Sequence, residues 1–253
     1  MSDKAPFDLQ LEHAREALAS AGRIAVLTGA GISAESGVPT YRGAGGVWQE
    51  VSMDEVATPE AFARDPQRVW QWHSEKRAQL AEVQPNPGHR ALAVLERQVS
   101  NRGGRFLLAT QNVDGLHQQA GSWNVLELHG SLLRVRCGGC GRTQPIGFEH
   151  TPEPPKCPRC GLPMRPDVVW FGETLDEDIF RTALRAVVSS EVFLTVGTSS
   201  LVYPAAGLVE AAADGGSTII EVNLEPTEAT VLADIALHGK AGEILPMLVV
   251  SKP

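Results

Sequence analysis

All four cysteines of the chain fall in two Cys-x-x-Cys pairs, Cys137/Cys140 and Cys157/Cys160, 16 residues apart and each followed by glycine. Two such knuckles place four thiolates tetrahedrally around one Zn²⁺, with redox-active cysteines as the competing reading. A site with four protein ligands has no open position, so the metal folds the segment that carries it and activates no water. Residues 137–165 need that help: they are rich in Gly, Pro and Cys and poor in aliphatics. In small zinc modules the metal supplies roughly 10–16 kcal/mol of folding energy.

Around this insert the chain alternates strands and helices. The patterns predict a helix from about Leu9 to Ala21 and a strand over Ile24–Leu27. Helices and turns follow from Val47 to Pro87, then a helix with Ala91, Leu92, Leu95 and Val99 inward. Strands are expected at Phe106–Thr110, Val125–Leu128, Val192–Val196 and Thr218–Val222, with helices at Tyr203–Ala213 and Ala241–Val249. Such alternation implies right-handed crossovers and a mostly parallel, doubly wound α/β sheet. A net charge of −8 disfavours nucleic acid and anionic membranes as partners, while suiting basic, lysine-bearing ones. No apolar run approaches the roughly 18 residues of a membrane span, and no secretory signal opens the chain, so a cytoplasmic protein is expected.

Chemistry concentrates at strand ends. Gly29-Ala30-Gly31-Ile32-Ser33-Ala34 follows the first strand and fits a Gly-x-Gly-x-x-Ala phosphate loop, whose glycines let backbone approach a pyrophosphate. The bland alternative is a tight turn. An ordinary dehydrogenase would carry an acid about 20 positions on, at the end of a second strand. Glu50 has the spacing but follows Gly46-Val47-Trp48-Gln49, which is not a strand. Gln111-Asn112-Val113-Asp114 and His129-Gly130 follow two further strands, Gly197-Thr198-Ser199-Ser200 a third, and Asn223 a fourth. Ligands of open α/β sheets sit outside the carboxyl ends of strands, so these groups face one crevice. His129 caps a strand beside a glycine and is the best candidate base among the histidines, although position alone fits a structural role equally. His117 reads as packed in a helical turn.

Taken together, Gly29–Gly43, Gln111-Asn-Val-Asp114, His129-Gly130, the two cysteine pairs, Val168-Val-Trp-Phe-Gly-Glu173, Gly197–Ser200 and Asn223 resemble the sirtuin family over about residues 22–250. The resemblance implies a Rossmann-like domain of residues 1–43, 88–136 and 166–253. A small domain would combine a helical insert, 44–87, with a zinc ribbon, 137–165. It also implies an NAD⁺-dependent protein lysine deacylase: the acyl group passes to ADP-ribose, nicotinamide leaves, and His129 serves as general base. Ser33 and Arg42 would hold the phosphates, with Asn112 and Asp114 at the ribose and nicotinamide. Gly197, Thr198, Ser199, Asn223 and Ala241 would surround the adenosine. Gly29, Ala30, Gly31, Ala34, Glu35, Trp48, Gln111 and Glu225 would complete the nucleotide site. Val168, Val169, Trp170 and Phe171 would pair with the substrate backbone as an added strand.

Segments near Gly43–Gly46 and Arg68–His89 are most similar to sirtuins that prefer succinyl- and malonyl-lysine. Those grip the acyl carboxylate with a Tyr and an Arg three apart on a helix; here the matching positions are His73 and Lys76. Two other readings use the same residues: ADP-ribose transfer to protein, and a non-catalytic NAD or zinc-ribbon module.

Overall fold

The computed structural model describes residues 6–40 and 46–249. In chain order it comprises α1 (Phe7–Ser20), β1 (Arg23–Thr28), α2 (Ala30–Ala34), α3 (Val47–Glu50), α4 (Met53–Val56), α5 (Pro59–Arg64), α6 (Pro66–Gln79) and α7 (Pro87–Asn101). There follow β2 (Arg105–Thr110), α8 (Leu116–Gln119), β3 (Val125–Glu127), β4 (Gly130–Cys137), β5 (Thr143–Pro145) and β6 (Met164–Val168). The chain ends with α9 (Glu177–Val188), β7 (Val192–Val196), α10 (Gly207–Asp214), β8 (Thr218–Asn223), β9 (Ile235–His238) and α11 (Ala241–Val249). No helix among the described residues is long and apolar enough to cross a membrane.

Six parallel strands form the main sheet in the order β3-β2-β1-β7-β8-β9. Strands covered on both faces need continuous apolar runs, and every residue of β7, with all but the first of β1, is buried. Leu11 of α1, Leu92 of α7 and Leu245 of α11 share one cluster with Val26, Leu108 and Leu194. Ala183 and Val187 of α9 and Leu208 of α10 share the opposite one with Ala25, Leu27 and Phe193. The chain winds outward from β1 to β2 and β3, then resumes on the other side of β1 with β7, β8 and β9. The connections after β1 and β7 therefore run on to opposite sides of the sheet, which marks the switch point where ligands of such sheets bind.

The helical insert is written in its caps. Thr58-Pro59, Asp65-Pro66 and Asn86-Pro87 each set a capping oxygen before a proline at the first helical position. Those oxygens accept from the N–H groups of Ala61, Arg68 and Gly88.

Four strands lie outside the sequence expectation. β9 is a short edge strand. β4, β5 and β6 form a separate antiparallel sheet in the order β5-β4-β6, and polar residues on its wet face mask the strand pattern. β4 pairs with β6 from Gly130–Val168 to Cys137–Met164. The small sheet thus begins before the expected 137–165 boundary and ends after it, taking in residues assigned from sequence to the large domain. The helix expected from Tyr203 starts only at Gly207, because a proline at 204 disfavours helical backbone at the residue before it.

Arg77 of α6 binds the helical insert to the zinc-ribbon segment. Fully buried, its Nη2 donates to the Glu149 carbonyl (3.0 Å), Ser74 Oγ (2.9 Å) and Thr151 Oγ1 (3.1 Å). The Trp70 indole N–H donates to the Thr151 carbonyl at 2.9 Å.

Candidate active site

The loops after β1 and β7 touch through glycine. Gly29 N–H donates to the Val196 carbonyl (3.0 Å) and Gly31 N–H to that of Gly197 (2.7 Å). A Cβ on Gly31 would lie 2.7 Å from Gly197 Cα, so the close approach excludes any side chain. Asn112 Nδ2 donates to the Gly29 carbonyl (3.0 Å) and Ser33 Oγ (3.1 Å), while Ser33 Oγ donates to Asp114 Oδ2 (2.7 Å). Burial pushes the Asp114 carboxyl upward, opposed by hydrogen bonds from Leu116 N–H and Ser33. Gln111 Nε2 reaches Thr198 Oγ1 (2.9 Å), and Asn223 Nδ2 the Thr198 carbonyl (2.8 Å). The ends of β2, β7 and β8 are thereby tied together.

His129 stands between the two sheets. Its Nδ1 lies 3.0 Å from the Gln111 carbonyl. A carbonyl oxygen only accepts, so Nδ1 carries the proton and Nε2 the lone pair. Burial lowers the imidazole pKa, with the Gln111 bond opposing. At neutral pH the ring is a free base. Gly130 makes the reversal that follows: its φ is +79°, and a Cβ there would sit 2.0 Å from the Asp167 carbonyl oxygen. Gly130→Ala is expected to cost at least about 2 kcal/mol, or about 5 °C in melting temperature, in a thermal scan. An unchanged midpoint would show that the reversal tolerates a side chain.

These groups share a cleft of about 740 Å³. Gly29, Ala30, Gly31, Gln111, Asn112, His129, Gly197, Thr198, Ser199, Asn223 and Glu225 line it from the main sheet, and His73, Lys76 and Val168–Phe171 from the small domain. An adjoining cavity of about 230 Å³ is bounded by Ser33 and Asp114, and shares Ala30, Lys76 and Asn112 with the first. Three residues expected at the nucleotide line neither cavity: Ala34, Glu35 and Ala241. The Glu35 carboxylate instead accepts from Gly242 N–H at 2.8 Å, capping α11. Arg42 and the Trp48 side chain lie outside the described residues. Leu132, Trp72, Leu224, Pro226 and Thr227 also line the cleft and were not anticipated. Leu132 was legible only by reading β4 as a strand.

Two substrate-side expectations change in detail. His73 is 3% exposed, its Nδ1–H donates to the Val69 carbonyl (2.9 Å), and its Nε2 accepts from Trp170 Nε1–H (3.3 Å). Burial lowers its pKa to about 4. A neutral ring with both nitrogens engaged offers no charge to an acyl carboxylate. Lys76, one turn on, has its ammonium 5.9 Å from the Trp72 ring centroid. Along the expected pairing strand, the N–H groups of Val169, Trp170 and Phe171 already donate to the His129 carbonyl, the Glu173 carboxylate and the Ala57 carbonyl. A peptide laid there must use carbonyl oxygens or displace one of these bonds.

The four Sγ atoms lie within 4.8 Å of one another. Ligands at about 2.3 Å from a tetrahedral zinc are separated by roughly 3.8 Å, whereas the Cys137–Cys160 and Cys140–Cys157 contacts of 3.4 and 3.6 Å are far too long for a disulfide. Each knuckle closes in the same way: Gly141 N–H donates to the Cys137 carbonyl and Gly161 N–H to that of Cys157. The donor set fits a zinc ion.

Fold and site together define a class: an α/β enzyme that takes a nucleotide at its sheet's switch point, beside a histidine, with a structural thiolate cluster apart from the chemistry. The model of the Sir2 family, the sirtuins, matches residues 29–204, and the chain belongs to that family. It is 50% identical to an NAD-dependent protein deacylase of Thermus thermophilus over 244 residues, 96% of either chain. To NAD-dependent protein deacylase 2 of Pyrobaculum aerophilum it is 50% identical over 232 residues, 92% of either. Among solved structures, a Sir2 homologue in complex with NAD superposes with a TM-score of 0.87 at 44% identity, covering 94% of this chain and 92% of that one. Sir2Af2 bound to a myristoylated histone peptide gives 0.76 at 36% identity, covering 96% and 95%.

Proposed function

We propose that this chain is an NAD⁺-dependent protein lysine deacylase acting in the cytoplasm. The observation that carries the reading is one cleft shared by the glycine loop and by a histidine whose tautomer leaves its basic nitrogen unprotonated. When bound, NAD⁺ would supply the electrophilic ribose carbon needed for acyl transfer to ADP-ribose, with nicotinamide as the leaving group. His129 Nε2 is the group able to draw a proton from a ribose hydroxyl. Asn112 orients the loop and, with Asp114, bounds the smaller cavity and would hold the nicotinamide end; Gly197–Ser199 and Asn223 would hold the adenosine half. Incubation with NAD⁺ and an acetyl- or succinyl-lysine peptide tests this: nicotinamide and acylated ADP-ribose are expected. ADP-ribosylated protein would favour the transferase instead, and no turnover a binding module.

The finer reading is a preference for acidic acyl groups, supported by the Lys76 ammonium on the cleft wall. As a point charge it pairs with a carboxylate less specifically than a guanidinium. Lys76→Ala is expected to lower the succinyl-to-acetyl ratio of kcat/KM about tenfold, the effect of a charged hydrogen bond. An unchanged ratio removes Lys76 from acyl selection.

A further inference from the structure

The turn Val168–Glu173 carries a cluster that the proposed chemistry does not use. Arg165 is 9% exposed, and its Nη1 and Nη2 grip the two Glu173 oxygens at 2.5 and 2.9 Å. The same Nη2 donates to the Val168 carbonyl (2.9 Å), and Glu173 Oε2 accepts from Trp170 N–H (2.9 Å). Above this fork lies the Trp170 ring, its centroid 3.3 Å from the guanidinium carbon. Phe62 of α5 packs on the ring at 5.2 Å between centroids, and His73 of α6 accepts its indole N–H. An indole that is 3% exposed and still lines the cleft is thus held from the turn, from β6 and from two helices of the small domain.

We infer that Arg165 and Glu173 are positioning residues for the acylated side chain: they fix Trp170 as a rigid wall of the substrate end of the cleft, and His73 locks its far edge. The inference rests on the deacylase reading. A largely desolvated ion pair adds little net stability over an apolar pair of equal volume. What the fork adds is direction. One guanidinium sets the ring plane by stacking, the path of the turn through the Val168 carbonyl, and the orientation of the carboxylate that holds Trp170 N–H. The register also reaches the candidate base, because Val169 N–H donates to the His129 carbonyl at 2.9 Å. An immobile Trp170 on the cleft wall keeps the ordering cost of binding low.

The test needs no turnover. Affinity for a fluorescein-labelled acetyl-lysine peptide is measured by anisotropy and affinity for ADP-ribose by calorimetry, in the full chain and in the variants Arg165→Met and Glu173→Gln. Peptide affinity is expected to fall about tenfold in each, the scale of a small misplacement in a binding wall, with ADP-ribose affinity within about twofold. Because Arg165 acts through the ring, its effect should vanish in a Trp170→Ala background. Should Arg165→Met fail to fold, the isosteric Glu173→Gln carries the test. Unchanged peptide affinity in the soluble variants overturns the inference, as does an undiminished Arg165→Met effect without the indole. Wild-type protein that binds acylated and unacylated peptide equally would sink the deacylase reading, and this inference with it. Normal wild-type discrimination with insensitive variants sinks only the inference.

Discussion

His129→Ala is expected to cut turnover of an acyl-lysine peptide by about 10²–10⁴-fold, the usual worth of a general base, while ADP-ribose affinity stays within about twofold. The asymmetry follows from placement. Among the described residues the ring's hydrogen bond to the protein joins Nδ1 to the Gln111 carbonyl, whereas the glycine loop is held by Asn112, Ser33 and Gly197. Removing the ring therefore spares the nucleotide cradle. The pH profile of the wild-type enzyme carries the same signature. Burial depresses the His129 pKa, so the base form, which does the work, persists below the ordinary value of about 6.5. The rising limb of kcat/KM should then lie on the acid side of that value. A variant with near-normal kcat would assign the base elsewhere.

How far the sequence carried can be seen residue by residue. Strand ends were legible because β1, β2, β7 and β8 are apolar runs stopped by small polar residues, a pattern that burial on both faces imposes. The helical insert was legible only as helices and turns over Val47–Pro87, and the structure shows Thr58-Pro59, Asp65-Pro66 and Asn86-Pro87 opening its helices. β4 stayed hidden because an antiparallel sheet with one wet face dilutes its pattern: Arg134 and Arg136 interrupt the apolar residues, and both belong to ion pairs visible only in three dimensions, with Glu127, Asp167 and Glu173. Missing β4 hid Leu132 as well. Glu35 shows what sequence adjacency leaves open. It lies beside the phosphate loop in sequence, but α2 turns it toward Gly242, more than 200 positions away. Motif adjacency shows which residues share a loop, and only packing shows which way each one faces. His73 repeats the lesson: helical spacing set it beside Lys76, and burial removed its charge.

The largest effect on stability should come from the metal cluster. Cys140→Ala, or prolonged chelation of the native enzyme, is expected to abolish zinc binding and unfold the small domain. The magnitudes decide it. Around the cysteines the buried apolar contribution consists of Trp70, Val135 and Met164, whereas a tetrathiolate zinc supplies roughly 10–16 kcal/mol in modules of this size. That exceeds or matches the ~5–15 kcal/mol by which whole domains are stable, so no other interaction in the segment can substitute. Loss of the ribbon would also take the Glu149 carbonyl and Thr151 from Arg77, leaving a buried guanidinium without most of its acceptors, a cost of several kcal/mol in itself. The disturbance then runs along α6 to His73 and Lys76. Among the described residues no cysteine lines the cleft, yet peptide turnover should disappear with the zinc while part of the ADP-ribose affinity survives on the six-stranded sheet. Metal analysis together with a thermal scan checks this. One zinc per chain and an unshifted midpoint in the variant would mean that the four thiolates do not hold the ribbon together.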